Sequence, residues 1–190
     1  PSNVPSSFDV GPPSYQADCK ASLLGRLLLR GFALHHLVPP VTNSELKFVR
    51  TERGRPVVAG DLMGALDYNV SHSGDWVVLA GGEGGVGVDV MRTRDSRVDR
   101  LEEFFRLMDK QFTAGEWQAI RGREGRQEQL AMFFRHWTLK ESYVKAVGTG
   151  LNLDLRSLDF RLARDEVEEG EVETGTRLLL EGRSADWSFE

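Results

Sequence analysis

One cysteine, Cys19, stands in 190 residues. A lone thiol can neither close an internal disulfide nor build a cysteine zinc cluster, so a disulfide-stapled scaffold and a cysteine-ligated structural metal are excluded. No apolar run approaches the roughly 20 residues that a membrane span requires. Positive charge is in deficit: 24 Lys and Arg stand against 29 Asp and Glu, a net charge of -5. That balance argues against non-specific binding to a nucleic acid backbone. No signal-peptide pattern opens the chain, and the expectation is an intracellular, cytoplasmic protein with no membrane and no nucleic acid partner. What is present is ordinary globular composition, 40% hydrophobic and 28% charged. It supplies a sizeable core for one domain or for two small halves sharing one.

Residues 1–15 are rich in Pro, Ser and Gly without periodicity and read as a loose leader. From about Ala17 to Leu37 the pattern is helical, with Ala21, Leu24 and Leu28 on one face, and Pro39-Pro40 stops it. Leu46 to Arg50 and Pro56 to Val58 read as short strands, then Leu66 to Ser71 and Trp76 to Ala80 as a second pair. Val86 to Met91 reads as another strand, with Val86, Val88 and Val90 on one side and Gly87, Asp89 and Met91 on the other. Val98, Leu101, Phe105 and Met108 form a helical stripe, and Thr113 with Glu116 forms a capping box. A long helix is expected from about Gln127 to Val147, ended by Gly148 and Gly150, followed by strands at Ser157 to Leu162 and Arg177 to Leu180. Strands and helices in blocks make the class α+β.

Several apparent motifs carry no chemistry. The glycines of Gly82 to Gly87 lack the Lys-Ser/Thr of a phosphate loop, and a strand follows where a helix should. Ser71 and His72 are neighbours on an extended chain and point to opposite sides, so they make no catalytic dyad. His35-His36 sits late in a helix, where it complements the helix C-terminus better than it binds metal.

Three features carry chemistry. Asp89 is a carboxylate on an otherwise apolar strand. It either bonds to a turn or is compensated by a cation, and a hard cation such as Mg²⁺ takes oxygen ligands together with water and phosphate. Glu141 and Lys145 lie four apart in Lys140-Glu141-Ser142-Tyr143-Val144-Lys145 and share a helix face. Alone they read as a surface ion pair worth about 0.3–0.5 kcal/mol. Beside the apolar stripe they could bind metal, take a proton and offset phosphate charge. Arg50, Arg53 and Arg55 cluster at the first hairpin and Ser71 and His72 at the second, either as solvated turns or as holders of a multiply phosphorylated ligand.

Val86-Gly87-Val88-Asp89-Val90 and Trp137-Thr138-Leu139-Lys140-Glu141-Ser142-Tyr143-Val144-Lys145-Ala146, taken with Asn69-Val70-Ser71-His72, resemble the signatures of 4'-phosphopantetheinyl transferases. The larger monomeric class, typified by the surfactin-synthetase activator, fits over about Asp18 to Glu190. Its animal cytosolic members, which serve fatty acid synthesis and lysine metabolism, fit best. The resemblance implies two similar α+β halves related by a pseudo-twofold, 16–85 and 86–190, with CoA in the cleft between them. It implies transfer of phosphopantetheine from CoA to a serine of an acidic apo acyl carrier protein (holo-[acyl-carrier-protein] synthase activity), releasing adenosine 3',5'-bisphosphate. By the same resemblance Asp89 and Glu141 would bind Mg²⁺, with Mn²⁺ as the alternative, and Glu141 would help deprotonate the acceptor serine. Lys145 would stabilise charge on the CoA phosphates. Arg50, Arg53, Arg55, Asn69, Ser71 and His72 would line the CoA site, with His72 near the 3'-phosphate.

The chain departs from that pattern in three places. Met91 stands where many relatives carry a second carboxylate. The N-terminal strand with its CoA-contacting Arg has no match in Pro1 to Tyr15, and the closing strand after Trp187-Ser188-Phe189-Glu190 is expected to be missing. Two rivals therefore stay open: a non-catalytic CoA- or carrier-binding module, and a Mg²⁺-dependent hydrolase of CoA-like diphosphates. Arg92, Arg94, Arg97 and Arg100 follow the metal strand and are expected either to be a solvated loop or to dock the acidic carrier.

Overall fold

The computed structural model describes residues 13–52, 56–60, 64, 66–93, 100–150, 153–168 and 170–190. Arg53, Arg55, Arg94, Arg97 and most of the expected leader lie outside them. Within the described residues the architecture is helices with small antiparallel sheets, an α+β arrangement. Helix α1 (Pro13–His36) precedes the hairpins β1 (Phe48–Arg50)–β2 (Pro56–Val58) and β3 (Asp67–Ser73)–β4 (Trp76–Gly82). Helices α2 (Leu101–Leu107), α3 (Ala114–Arg121) and α4 (Arg126–Val147) come next. A sheet of β5 (Leu158–Arg161), β6 (Arg177–Leu180) and β7 (Arg183–Ser184) follows, in that spatial order. No helix among the described residues is long and apolar enough to cross a membrane.

Helix α1 corrects one expectation. Its buried line is Ala21, Gly25, Leu29 and Ala33, every fourth residue, continued by Leu37 just past its end, whereas Leu24 and Leu28 are 52% and 45% exposed. Small side chains explain the choice of face. A Cβ on Gly25 would lie 3.0 Å from Val70 Cγ1, so the helix rests nearly backbone-on-side-chain over the β3–β4 hairpin. An apolar count favours the leucines; close approach favours the small residues.

Helix α4 is the axle of the rest. Leu130, Met132, Phe133 and Phe134, toward its N-terminus, pack with Phe105, Phe112, Trp117 and Ile120. Tyr143 and Val144, near its end, pack with Leu158, Phe160, Leu178 and Phe189. Gly148, at φ +66°, ends the helix in the left-handed conformation that a side chain disfavours, and its N–H still reaches the Val144 carbonyl. The capping box opens α3 as the sequence predicts: Glu116 N–H donates to Thr113 Oγ1 and Thr113 N–H to Glu116 Oε2.

The same Glu116 does more than cap. Its Oε1 accepts from Phe160 N–H at 2.9 Å, and Lys140 Nζ approaches its Oε2 at 2.8 Å with both side chains fully buried. Lys140 also donates to the carbonyls of Leu155 and Leu158, each at 2.6 Å. Burial pushes the lysine pKa down, and Glu116 opposes the shift. The pair ties α3, α4 and the start of β5 together.

One turn earlier on α4, His136 is buried with its Nδ1–H donating to the Met132 carbonyl at 3.0 Å. Burial holds its pKa below the ordinary histidine value. The folded state therefore keeps the ring neutral while the unfolded chain protonates it below about pH 6.5. Stability supplied this way is complete above that pH and falls as pH drops, by about 1.4 kcal/mol per pH unit until the folded ring also protonates. Urea denaturation of the protein and of His136→Gln from pH 7 to pH 5 checks this. Their difference cancels the other titrating groups, and it should shrink toward acid; a constant difference would assign His136 no such role.

Candidate active site

The stretch that the sequence predicts as a strand, Val86 to Met91, is extended but carries no regular strand pairing. Its rungs are side chains instead. Val86 N–H donates to Asp67 Oδ2 at 2.7 Å, Val88 N–H to Asn69 Oδ1 at 3.3 Å, Val90 N–H to Ser71 Oγ at 3.4 Å and Arg92 N–H to Ser73 Oγ at 3.1 Å. Every second residue of β3 thus meets every second residue of the segment. The predicted alternation survives in this form: even positions turn their N–H groups to β3, and odd positions face α4. Gly87 makes the closest approach, since a Cβ there would overlap the Ser142 carbonyl oxygen and lie 2.6 Å from the Ala146 nitrogen. Met91 packs against the phenylalanine cluster.

This contact brings the chemistry together. Asp89, whose side chain is 8% exposed, meets Lys145 Nζ at 2.6 Å through Oδ1. Ser71 Oγ donates to the same oxygen at 2.7 Å. The Lys145 ammonium further reaches Ser71 Oγ at 3.1 Å and the Val88 carbonyl at 3.2 Å. Lys145 is therefore engaged by Asp89 across the seam, where the sequence alone offered its helical neighbour Glu141. Glu141 is half-buried and its pKa is raised, by burial first and by the Asp89 carboxylate second, with Lys145 opposing. The segment from Gly85 to Asp89, the α4 residues Thr138, Leu139, Ser142, Tyr143 and Ala146, and the stretch from Trp187 to Glu190 line a cavity of about 420 Å³, which Asp89 borders and Glu141 and Lys145 do not.

The remaining predicted residues divide. Asn69 and Ser71 are on the β3 face that meets the Asp89 segment. His72 is exposed and alternates to the other face, the one that carries Tyr68 and Val70 toward α1, so the hairpin does not turn it to Asp89. Arg50 stands exposed at the end of β1, opposite Pro56. Asp67 and Ser73 were not singled out from the sequence. Their signal is a strand with a polar residue at every second position, Asp67, Asn69, Ser71 and Ser73.

Among the described residues no group of three or more His, Cys, Asp or Glu could hold a metal ion. The donor set of Asp89 and Glu141 nonetheless suits a hard dication. Both carry carboxylate oxygens, and the Asp89 charge, which adds to burial in raising Glu141, is one that a bound cation would relieve. Two protein carboxylates leave most of the shell to water and phosphate oxygens, the usual habit of Mg²⁺.

Residues 85–190 match the profile of the 4'-phosphopantetheinyl transferase superfamily, and residues 9–84 that of a 4'-phosphopantetheinyl transferase N-terminal region. The chain is 38% identical over 186 residues to the L-aminoadipate-semialdehyde dehydrogenase-phosphopantetheinyl transferase of Rattus norvegicus, covering 95% of this chain and 60% of that protein. The Homo sapiens protein of the same name gives the same identity and coverage. The 4'-phosphopantetheinyl transferase Sfp of Bacillus subtilis is 30% identical over 151 residues, 80% of this chain and 62% of that protein. The chain thus spans about 60% of the length of the animal relatives. With its signatures gathered around Asp89, Glu141 and Lys145 and its length matched on both sides of residue 85, the chain belongs to the 4'-phosphopantetheinyl transferase superfamily.

Proposed function

We propose that this protein transfers 4'-phosphopantetheine from CoA to a serine of an apo carrier protein and releases adenosine 3',5'-bisphosphate. The observation that carries the proposal is the meeting of Asp89, Ser71 and Lys145, from three separate stretches of chain, beside the raised carboxyl of Glu141. The reading takes residues 16–85 and 86–190 as two related halves with CoA between them. Its support is that each half lays a helix on an antiparallel sheet, α1 on β3–β4 and α4 on β5–β6.

In this reading Asp89 and Glu141 hold Mg²⁺, or Mn²⁺. When bound, the cation supplies neutralisation of the charge that grows on the diphosphate. Glu141 takes the proton of the acceptor hydroxyl, and a carboxyl raised by burial is a better base for that task near neutral pH than an ordinary one. The serine oxygen attacks the phosphorus that bears pantetheine, the bond to the bridging oxygen breaks, and the bisphosphate leaves with the electron pair. Lys145 offsets charge on the phosphates from the seam beside Asp89. Asn69, Ser71, His72 and Arg50, Arg53 and Arg55 hold the CoA nucleotide. The proposal takes the protein as a cytosolic monomer whose carrier is acidic. Arg92 and Arg100, both exposed, would help to receive it.

Incubating the full chain with CoA, Mg²⁺ and an apo acyl carrier protein tests the proposal. A phosphopantetheine mass gain on the carrier is the expected result. CoA consumption without that gain would make the protein a hydrolase, and CoA binding without turnover a binding module; either overturns the transfer.

A further inference from the structure

The side-chain ladder between β3 and the Asp89 segment has a geometry that a backbone ladder would not provide. Backbone pairing would set the two chains about 4.8 Å apart and turn the Val88 carbonyl to a β3 amide. Here the β3 acceptors are Asp67, Asn69, Ser71 and Ser73, so the chains stand apart by the length of a side chain. The Val88 carbonyl is left to Lys145, whose ammonium enters the seam and touches Ser71, Val88 and Asp89 together. The end rungs are placed symmetrically. Asp67 binds the amide three residues before Asp89, and Ser73 the amide three residues after it. Asp67 uses both carboxylate oxygens, Oδ2 for Val86 N–H and Oδ1 for Tyr68 N–H on its own strand, so the rung is anchored at its base. A charge-assisted bond at 2.7 Å is the shortest of the four.

We propose that Asp67, with Ser73 as its counterpart, is a positioning residue of the metal site: the two fix the ends of the Asp89 segment and thereby hold Asp89 and admit Lys145 into the seam. The inference rests on the assignment of Asp89 as a metal ligand in the proposed function. Neither residue touches a reacting atom. Both act through backbone N–H groups, in the way that outer partners orient a ligand and change metal affinity by about 10–100-fold when lost.

The test uses Mn²⁺ as a probe, titrated into the full chain with CoA present and followed by electron paramagnetic resonance, alongside steady-state kinetics. Asp67→Ala should weaken Mn²⁺ binding by about tenfold and lower kcat, while the KM for CoA changes by less than about threefold. Asp67→Asn keeps an oxygen that accepts from Val86 N–H and should recover most of both losses. Ser73→Ala should move them in the same direction by a smaller factor, and it decides the matter if Asp67→Ala does not fold. Wild-type Mn²⁺ affinity in the folded alanine variants, or an Asp67→Asn as impaired as Asp67→Ala, overturns the positioning role. Asp89→Asn separates the two levels. If the unaltered chain binds no Mn²⁺, or Asp89→Asn binds it equally well, the metal assignment fails and takes this inference with it. Binding lost in Asp89→Asn but kept in Asp67→Ala overturns the positioning role alone.

Discussion

Glu141→Ala is expected to remove most phosphopantetheine transfer, with kcat down by about 10²–10⁴-fold, the span that one general base supplies. The carboxyl is the half-buried group whose pKa is raised by burial and by Asp89, and it faces the turn of α4 from which Lys145 reaches the same Asp89. CoA binding should suffer less, because in the proposed reading the nucleotide would be held by groups away from the reacting phosphorus. The check is single-turnover transfer to an apo carrier together with CoA titration by calorimetry. Near-normal turnover would remove Glu141 from the chemistry. A parallel loss of CoA affinity and rate would reduce it to a ligand-binding group.

Lys140→Met should cost the fold about 3–5 kcal/mol, the usual penalty for stripping one member from a buried ion pair. Lys140, the neighbour of Glu141, is thus structural. Its ammonium satisfies Glu116 and the carbonyls of Leu155 and Leu158, and all three would be left without it in a site closed to water. Glu116→Gln in the Lys140→Met background should return part of the loss, since the amide oxygen still accepts from the Phe160 or Thr113 amide and no bare charge remains. Urea denaturation of the three variants measures this. A Lys140→Met protein of unchanged stability would mean that water reaches the pair.

Local patterns made much of this legible. The 3.6-residue stripe of α4, the glycine that ends it and the Thr113–Glu116 box are signals within a few residues of each other, and each is found where the sequence predicts it. The hairpins are also where alternation and turn residues place them, with β3 extending to Ser73 and β4 to Gly82. Asp89, Glu141 and Lys145 stood out as candidates through the family signatures, and the structure brings Asp89 and Lys145 into contact. Two kinds of information were not. The first is which face of an apolar helix wins: Leu24 and Leu28 outweigh Ala21 and Gly25 on any hydrophobic scale, yet the small residues are buried because the hairpin can approach them. The second is pairing at a distance. Glu116 looked complete as a cap, and nothing near it in sequence announces Lys140. Likewise Val86 to Met91 has the composition of a strand, and only the polar line on β3 determines that side chains make its rungs.

That line of rungs has a consequence for how the site can change over generations. The gap in a backbone ladder is set by peptide geometry and lies beyond the reach of any codon. The gap between β3 and the Asp89 segment is written in four side chains, and each can be altered alone. Asp67→Glu would lengthen one end by a methylene, and Asp67→Ser would shorten it, tilting the Asp89 segment about its other anchors. The fold thus carries an adjustable ruler beside its carboxylates. Point substitutions along Asp67, Asn69, Ser71 and Ser73 can retune the distance from Asp89 to α4 without rebuilding β3 or the segment beside it.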